Sequence, residues 1–257
     1  MELDDSHAVG SPLSEYYPDD AAITLEITPD RGDCLSLRGV AREVAAITGV
    51  PLGSNARAPQ EGQDNIADAV DVRIEDAQRC PRYMGRLVRG VTIGPSPAWL
   101  KRKLATCGLR PINNVVDVTN YILLHFGQPM HAFDYTRLRG QQVVIKRATE
   151  GQTITTLDDV ERTLNAEDLL ICDGDGPVAL AGVMGGANSE ISPDTTDVFL
   201  ECAYFEPAGV RRTAKRLGIS TDSSYRFERG VDPEQGLAEA LDTAAALIAD
   251  LAGGTVS

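Results

Sequence analysis

The sequence has few of the residues that build metal sites, disulfide frameworks or membrane spans. It contains 3 histidines and 5 cysteines in 257 residues, and no two cysteines form a C-x-x-C pair. Scattered cysteines of odd number argue against a disulfide framework or a zinc site and favour small buried thiols in a reducing compartment. No apolar run approaches the roughly 20 residues of a membrane helix, and residues 1–20 lack the apolar core of a signal peptide. We therefore expect a cytoplasmic protein without a metal site.

Basic charge is also scarce. The chain has 24 Lys and Arg against 38 Asp and Glu, for a net charge of −14. A free-standing nucleic-acid binder normally carries a basic surface, so this balance argues against that class. The sequence also lacks a Walker loop, a dinucleotide fingerprint and a G-x-S-x-G nucleophile elbow. The absence of these motifs fits a hydrolase that positions water rather than one that uses covalent catalysis.

Hydrophobic periodicity predicts an α+β fold. Hydrophobic residues make up 42% of the chain, enough for a real core in one large domain or two small ones. Alternation predicts a strand over residues 21–28, and helical spacing predicts helices in the first half and at the end of the chain. Between them, short apolar runs separated by Asp/Gly turns predict strands. The predicted helices are 37–48, 99–107, 114–126, 207–217 and 233–251, and the predicted strands lie at 70–74, 83–91 and within 142–203, with a linker at 51–68.

Three segments carry more hydrogen-bonding side chains than their apolar context explains. Residues 108–134 place arginine, asparagine, aspartate, threonine, glutamine and histidine around a short apolar run. Buried polar groups need partners, so this segment either lines a pocket or forms an internal network. Residues 182–190 and 218–233 have the same character.

These segments resemble a known family when they are placed in order along the chain. The motifs are LEITPDRGDCLSLRGVAREVAAITG, RPINNVVDVTNY, QPMHAFD, AGVMGG, FLECAYF and SSYRFERGVDP. They resemble the β subunit of bacterial phenylalanyl-tRNA synthetase, in the third and fourth modules that carry its editing site. The resemblance runs from about residue 25 to 254. One departure is that Asp30 and Gly32 stand where the family has Asn and Pro, far in sequence from the proposed pocket. Because the family's β subunit is much longer, we expect an excised fragment that begins at an added Met1.

The resemblance implies an architecture and a function. It implies a β-rich mixed domain of two interleaved subregions with flanking helices, in which the first and last helices pack together. We expect an acidic extension at 1–20, a helical subregion at 21–68 and 204–257, and a strand-rich editing subregion at 69–203. The implied activity is hydrolytic proofreading of tyrosine mischarged onto phenylalanine tRNA. The implied partners are the tRNA acceptor end and the synthetase α subunit in an α2β2 assembly, with ATP and Mg used by the parent enzyme and no cofactor in this region.

The resemblance also assigns roles to seven residues. His131, Asn120 and Thr119 orient the ester and its water, and Glu201 recognises the phenol hydroxyl of tyrosine. The remaining three contribute to binding: Gly185 and Thr221 in the pocket wall, and Arg110 at a terminal phosphate of the tRNA.

The residues themselves leave alternatives open. His131, predicted in a loop after a helix, is by residue type more often a structural histidine. Alternation places Glu201 on the same strand face as Phe199, where it is either a buried polar group or a solvent-facing residue of an edge strand. Arg110 is equally an ordinary surface or salt-bridged arginine. The alternative for Asp117, Thr119 and Asn120 is that they cap a nearby element, and this alternative is strongest for Asp117. The rival functions are a non-catalytic structural or docking module and a free-standing hydrolase. A cavity shared by Glu201 and His131 would argue against the structural module.

Overall fold

The computed structural model describes residues 10–12, 14, 20–54 and 56–257. The helices are α1 (Leu37–Thr48), α2 (Ala98–Thr106), α3 (Val116–Phe126), α4 (Pro207–Leu217), α5 (Asp222–Phe227) and α6 (Gln235–Ala252). The strands are β1 (Asp71–Ile74), β2 (Arg82–Arg89), β3 (Met130–Asp134), β4 (Gln142–Arg147), β5 (Thr153–Thr155), β6 (Glu161–Thr163), β7 (Leu169–Cys172), β8 (Pro177–Leu180), β9 (Met184–Gly185), β10 (Asp197–Tyr204) and β11 (Thr255–Val256). Helices and sheets are mixed along the chain, so the predicted α+β class is confirmed.

Two sheets organise the strands. A four-stranded antiparallel sheet has the order β11-β2-β10-β3, and a five-stranded sheet has the order β1-β4-β7-β8-β9. In the second sheet β1 pairs with β4 in parallel and the other pairings are antiparallel. β3 and β9 are therefore edge strands, one in each sheet.

The four-stranded sheet separates two hydrophobic cores. On β10, Phe199 and Ala203 belong to the core shared with the five-stranded sheet, whereas Leu200 and Cys202 belong to the core formed with α2, α3 and α6. This division follows from the alternation of side chains along a strand. The predicted separation of Phe199 from Leu200 and Cys202 is confirmed, and Glu201 lies on the Phe199 face.

The polar segment at 108–134 is largely an internal network that holds α2 and α3 together. The Asn113 side chain accepts hydrogen bonds from the backbone N–H groups of Val115 and Val116, which are donors without partners in the first turn of α3. Asp117 is fully buried and accepts hydrogen bonds from the Ser96 hydroxyl at 2.6 Å and the Ile112 N–H at 2.7 Å. The interpretation of Asp117 as a residue that caps a neighbouring element is therefore the one that the structure supports.

Two predicted local structures were wrong. Residues 21–28 form no strand, because no strand among the described residues pairs with them, and Ile23 remains 81% exposed. His131 lies on strand β3 rather than in a loop.

The first helix also packs differently from the expectation. It lies mainly against α3, and an ion pair between Arg38 and Glu239 connects it to α6. The predicted acidic extension at 1–20 falls outside the described residues except for 10–12, 14 and 20. The division into subregions stays a prediction. None of the described helices combines the length and apolar character needed to cross a membrane.

We predict that Asp117→Ala lowers the free energy of unfolding by roughly 2–4 kcal/mol, because the buried Ser96 hydroxyl and the partly buried Ile112 N–H lose their acceptor. The matched control is Asp64→Ala, at an exposed carboxylate with no hydrogen bond or ion pair to the described residues, which should change stability by less than about 0.5 kcal/mol. Denaturant unfolding of both variants measures the difference. Equal stabilities would contradict the assigned role of Asp117.

Candidate functional site

A small cavity lies where the edge strands of the two sheets meet. β3 contributes His131, β9 contributes Gly185, and β10 contributes Glu201, while α5 closes one side. The volume is about 50 Å³. The full lining is Pro129, Met130, His131, Ile171, Ala179, Leu180, Gly182, Val183, Met184, Gly185, Glu201, Ser223 and Phe227. Glu201 and His131 are the titratable groups in a wall that is otherwise apolar except for Ser223.

Strand pairing makes these two groups neighbours. Glu201 on β10 stands directly opposite His131 on β3 in the antiparallel register. Directly opposed residues have their Cβ atoms about 5 Å apart on the same face of the sheet. The two side chains therefore reach the cavity from adjacent positions, although 70 residues separate them in sequence.

The His131 ring is held by apolar contacts rather than by hydrogen bonds at Nε2. It packs edge-on against Phe133, with ring centroids 4.4 Å apart. Nε2 is buried and has no hydrogen-bond partner among the described residues. Burial lowers the pKa of His131 to about 4, so the imidazole is neutral near pH 7.

Glu201 is only 6% exposed and carries an unusual protonation state. Burial raises the pKa of its carboxyl to about 8, and a hydrogen bond from the Tyr83 hydroxyl, at 3.2 Å from Oε2, opposes that rise. The carboxyl is therefore largely protonated near pH 7. With His131 neutral as well, the cavity has hydrogen-bonding groups but no charge.

Gly185 allows the close approach of the two edge strands. A Cβ atom at this position would lie 2.5 Å from His131 Cε1 and 2.9 Å from Nε2. Any larger residue would displace the imidazole. Gly185 thus has a steric role at the site, which explains why β9 carries glycine at this position.

Thr221 supports the cavity from outside. Its hydroxyl accepts a hydrogen bond from the Ser224 N–H at 3.0 Å and donates one to the Val183 carbonyl at 2.9 Å. Thr221 thereby caps α5 and ties it to the cavity wall, and its neighbour Ser223 lines the cavity.

The structure does not bring the other three predicted residues into this cavity. Thr119 and Asn120 lie on α3, and the Thr119 hydroxyl donates to the Val116 carbonyl within that helix at 2.8 Å. Arg110 is exposed in the connection between α2 and α3. The geometry thus unites His131, Gly185 and Glu201, with Thr221 behind them. The roles assigned to all seven residues stay predictions.

Sequence reasoning missed several residues at the site. Ser223, Met184 and Phe227 line the cavity, and Tyr83 contacts Glu201 from behind it. Tyr83 could have been found by alternation, since it shares a face of β2 with Leu87, which belongs to the core on the Glu201 side of the sheet. Nothing local distinguishes Ser223 from the neighbouring serine, because its position depends on the start of α5.

Two other features of the described chain lack this chemistry. An apolar groove of about 940 Å³ runs along α1 and residues 21–27, and contains no opposed pair of polar groups comparable to His131 and Glu201. Asp33, Cys34 and Glu43 lie close enough to share a metal ion, but the Arg31 guanidinium already binds both carboxylates. The small cavity is therefore the better candidate.

We predict that Glu201→Gln changes the pH dependence of stability. The folded-state pKa of Glu201, about 8, lies above its ordinary value of 4.5, so the folded state binds the proton more tightly. This contribution to stability is complete below about pH 4.5 and is lost as the pH rises through about 8, at about 1.4 kcal/mol per unit of pKa shift. Glutamine does not titrate. The variant should therefore match the wild type near pH 5 and be more stable near pH 9, as measured by denaturant unfolding. A constant difference across this range would show that Glu201 is ionised in the folded protein.

Comparison with known proteins shows the family of this chain. A family model described as the B3/4 domain matches residues 79–253, which include all the strands of the cavity. The chain is 52% identical over 250 residues to the phenylalanine–tRNA ligase β subunit of Syntrophus aciditrophicus, covering 95% of this chain and 31% of that protein. It is 53% identical over 258 residues to the corresponding subunit of Geobacter sulfurreducens, covering 100% of this chain and 32% of that protein.

The matches cover nearly all of this chain but only part of its relatives. The chain spans about a third of the length of the curated ligase subunits that it matches. A solved N-terminal fragment of the phenylalanyl-tRNA synthetase β subunit from Pyrococcus horikoshii aligns with 89% of this chain and 60% of its own, at 16% identity and a TM-score of 0.46, too low to support an argument. The family model covers well over half of the sequence, and the chain belongs to the B3/4 domain family as it occurs in bacterial phenylalanine–tRNA ligase β subunits.

Proposed function

We propose that this chain hydrolyses tyrosine wrongly esterified to phenylalanine tRNA, as the editing site of a phenylalanine–tRNA ligase. The observation that carries the proposal is the opposed pair of Glu201 and His131, two uncharged polar groups in one apolar cavity. The similarity to ligase β subunits supplies the substrate class, an aminoacyl ester of tRNA.

The cavity supports selection of a hydroxyl group. A ligase must bind phenylalanine in an apolar pocket, and such a pocket discriminates only about a hundredfold against an isostere that adds a hydroxyl. A second site that hydrogen-bonds the hydroxyl reverses this preference, because phenylalanine would leave its polar groups unpaired. Glu201 suits this task, since its protonated carboxyl both accepts a hydrogen bond and donates one.

His131 suits the reacting end of the substrate. Neutral Nε2 accepts a hydrogen bond from a water molecule or from a ribose hydroxyl, and it has no competing partner among the described residues. An aminoacyl ester is already activated, so orientation of water contributes much of the required rate. The absence of a nucleophile elbow in the sequence is consistent with direct attack by water.

Entry of a tyrosine ring requires the cavity to widen. A cavity of about 150 Å³ is known to accept benzene, whereas this one is about 50 Å³. Met130 and Met184 line it and are partly exposed. Methionine side chains are flexible and readily rearrange, so these two side chains would move aside for the ring.

Two rival functions are less well supported. A purely structural module would not require His131 and Glu201 to share a cavity with unused hydrogen-bonding capacity. A free-standing hydrolase would need its own basic surface for tRNA, and the net charge is −14. We therefore expect other parts of the parent enzyme to bind the tRNA body and a ligase α subunit. The parent enzyme would also use ATP and Mg.

We predict that Glu201→Ala, in the full-length ligase, lowers the preference for tyrosyl-tRNA over phenylalanyl-tRNA by roughly ten- to hundredfold, because the phenol loses its hydrogen-bond partner. Glu201→Gln should retain more of the preference, since an amide also accepts and donates. Single-turnover deacylation of both aminoacyl-tRNAs measures the ratio. An unchanged ratio in Glu201→Ala would mean that the phenol is recognised elsewhere.

We predict that Gly185→Ala and His131→Ala both slow hydrolysis of both aminoacyl-tRNAs, because the methyl group added at Gly185 displaces the imidazole that His131→Ala removes. The loss in Gly185→Ala should be roughly tenfold or more, less than the about 10²- to 10⁴-fold contribution of a general acid or base, because the imidazole is displaced and not removed. Gly176→Ala is the control, since a Cβ there meets nothing within 4 Å. A slow Gly185→Ala variant whose tyrosine preference is intact fits this assignment. Wild-type rates in Gly185→Ala would contradict it.

A further inference from the structure

Glu201 has one hydrogen-bond partner among the described residues, and that partner is not part of the cavity. The Tyr83 hydroxyl donates to Glu201 Oε2 at 3.2 Å. Tyr83 stands on β2 opposite Ala203, two residues along β10 from Glu201, so it reaches the carboxyl diagonally across the strands. The lining of the cavity includes Glu201 but not Tyr83. Tyr83 therefore holds the carboxyl from behind.

The position directly opposite Glu201 on β2 is Gly85, which has no side chain to compete with this arrangement. The Phe199 ring occupies the space there, since a Cβ at Gly85 would lie 2.4 Å from Phe199 Cζ. An aromatic ring cannot accept or donate a conventional hydrogen bond to the carboxyl. Tyr83 is thus the described group that fixes the rotation of the Glu201 carboxyl, and no described residue donates to Oε1.

We infer that Tyr83 is a positioning residue that sets the tyrosine selectivity of this site. By engaging Oε2, it leaves Oε1 directed to the cavity for the phenol hydroxyl of the substrate. The carboxyl then lies between two phenols, that of Tyr83 behind it and that of the substrate in front. This inference rests on the proposed editing function and adds to it a residue that contacts neither substrate nor water.

The electrostatic surroundings give this contact a measurable signature. The titratable groups near Glu201 are Tyr83, His131, Cys80 and Cys202, and none of them is a cation near neutral pH. Burial raises the pKa of Glu201, whereas the Tyr83 hydrogen bond lowers it. Loss of the Tyr83 hydroxyl should therefore raise the pKa of Glu201 further. A tyrosine that served only to fill space would not have this effect when it is replaced by phenylalanine.

The test is Tyr83→Phe, which removes one oxygen atom and preserves the ring. In the full-length ligase, single-turnover deacylation should show a preference for tyrosyl-tRNA lowered by about three- to tenfold, the scale of one net hydrogen bond. Hydrolysis of phenylalanyl-tRNA should change little. Tyr135→Phe is the matched control, because it removes another tyrosine hydroxyl at the same core, one that donates to the Ala69 carbonyl at 2.8 Å. This control should keep the wild-type preference.

The second measurement needs no substrate. Carbon-13 NMR titration of the Glu201 carboxyl, assigned with Glu201→Gln, should show a higher pKa in Tyr83→Phe than in the wild type and in Tyr135→Phe. Unchanged titration, or equal slowing with both aminoacyl-tRNAs, would overturn the inference. If Glu201→Ala loses the tyrosine preference but Tyr83→Phe keeps it, the editing function stands and the inference fails. If the wild type shows no tyrosine preference, the proposed function fails, and with it the selectivity role of Tyr83, whereas the titration still reports the contact.

Discussion

The site depends on the register between β3 and β10. A shift of one residue would turn His131 to the opposite face of the sheet, away from Glu201. Two side chains fix this register from the ends of β3. Gln128 Nε2 donates to the Ala203 carbonyl of β10 at 3.1 Å, and Asp134 Oδ2 accepts from the Thr195 hydroxyl, just before β10, at 2.7 Å. The first and last residues of the QPMHAFD motif thus hold an edge strand whose second residue is the histidine.

The hydrogen bonds of Gln128 and Asp134 explain how an edge strand can hold a functional side chain in a fixed position. Edge strands lack a partner on one side and are the less constrained members of a sheet. On the sheet face that carries the His131 ring, β3 approaches β9 of the other sheet, where Gly185 lies next to that ring. The histidine is consequently held by the register on one side and by steric contact on the other. Its Nε2 atom needs no hydrogen bond to keep its place.

Parts of this arrangement follow from local sequence and parts do not. The face of Glu201 follows from alternation in a strand of eight residues, and helices α2, α3 and α4 follow from their apolar spacing and their glycine ends. β3 was missed because it has five residues, begins directly after a proline, and owes its register to partners 75 and 61 residues away. Residues 21–28 show the converse error, since alternation predicts a strand only where a neighbouring strand exists to pair with it. The contact between Tyr83 and Glu201 requires the register of two strands 118 residues apart, which no local pattern contains.

The absence of charge in the cavity restricts what it can bind. A charged ligand group would lose its hydration there and gain little from a counterion, because near pH 7 His131 is neutral and Glu201 is largely protonated. An uncharged group that both donates and accepts hydrogen bonds loses much less, since Glu201 and His131 replace its water contacts. In the proposed editing function, the phenol of tyrosine is such a group. Selection against charge and selection for a hydroxyl would then both arise from the burial of the same two polar side chains.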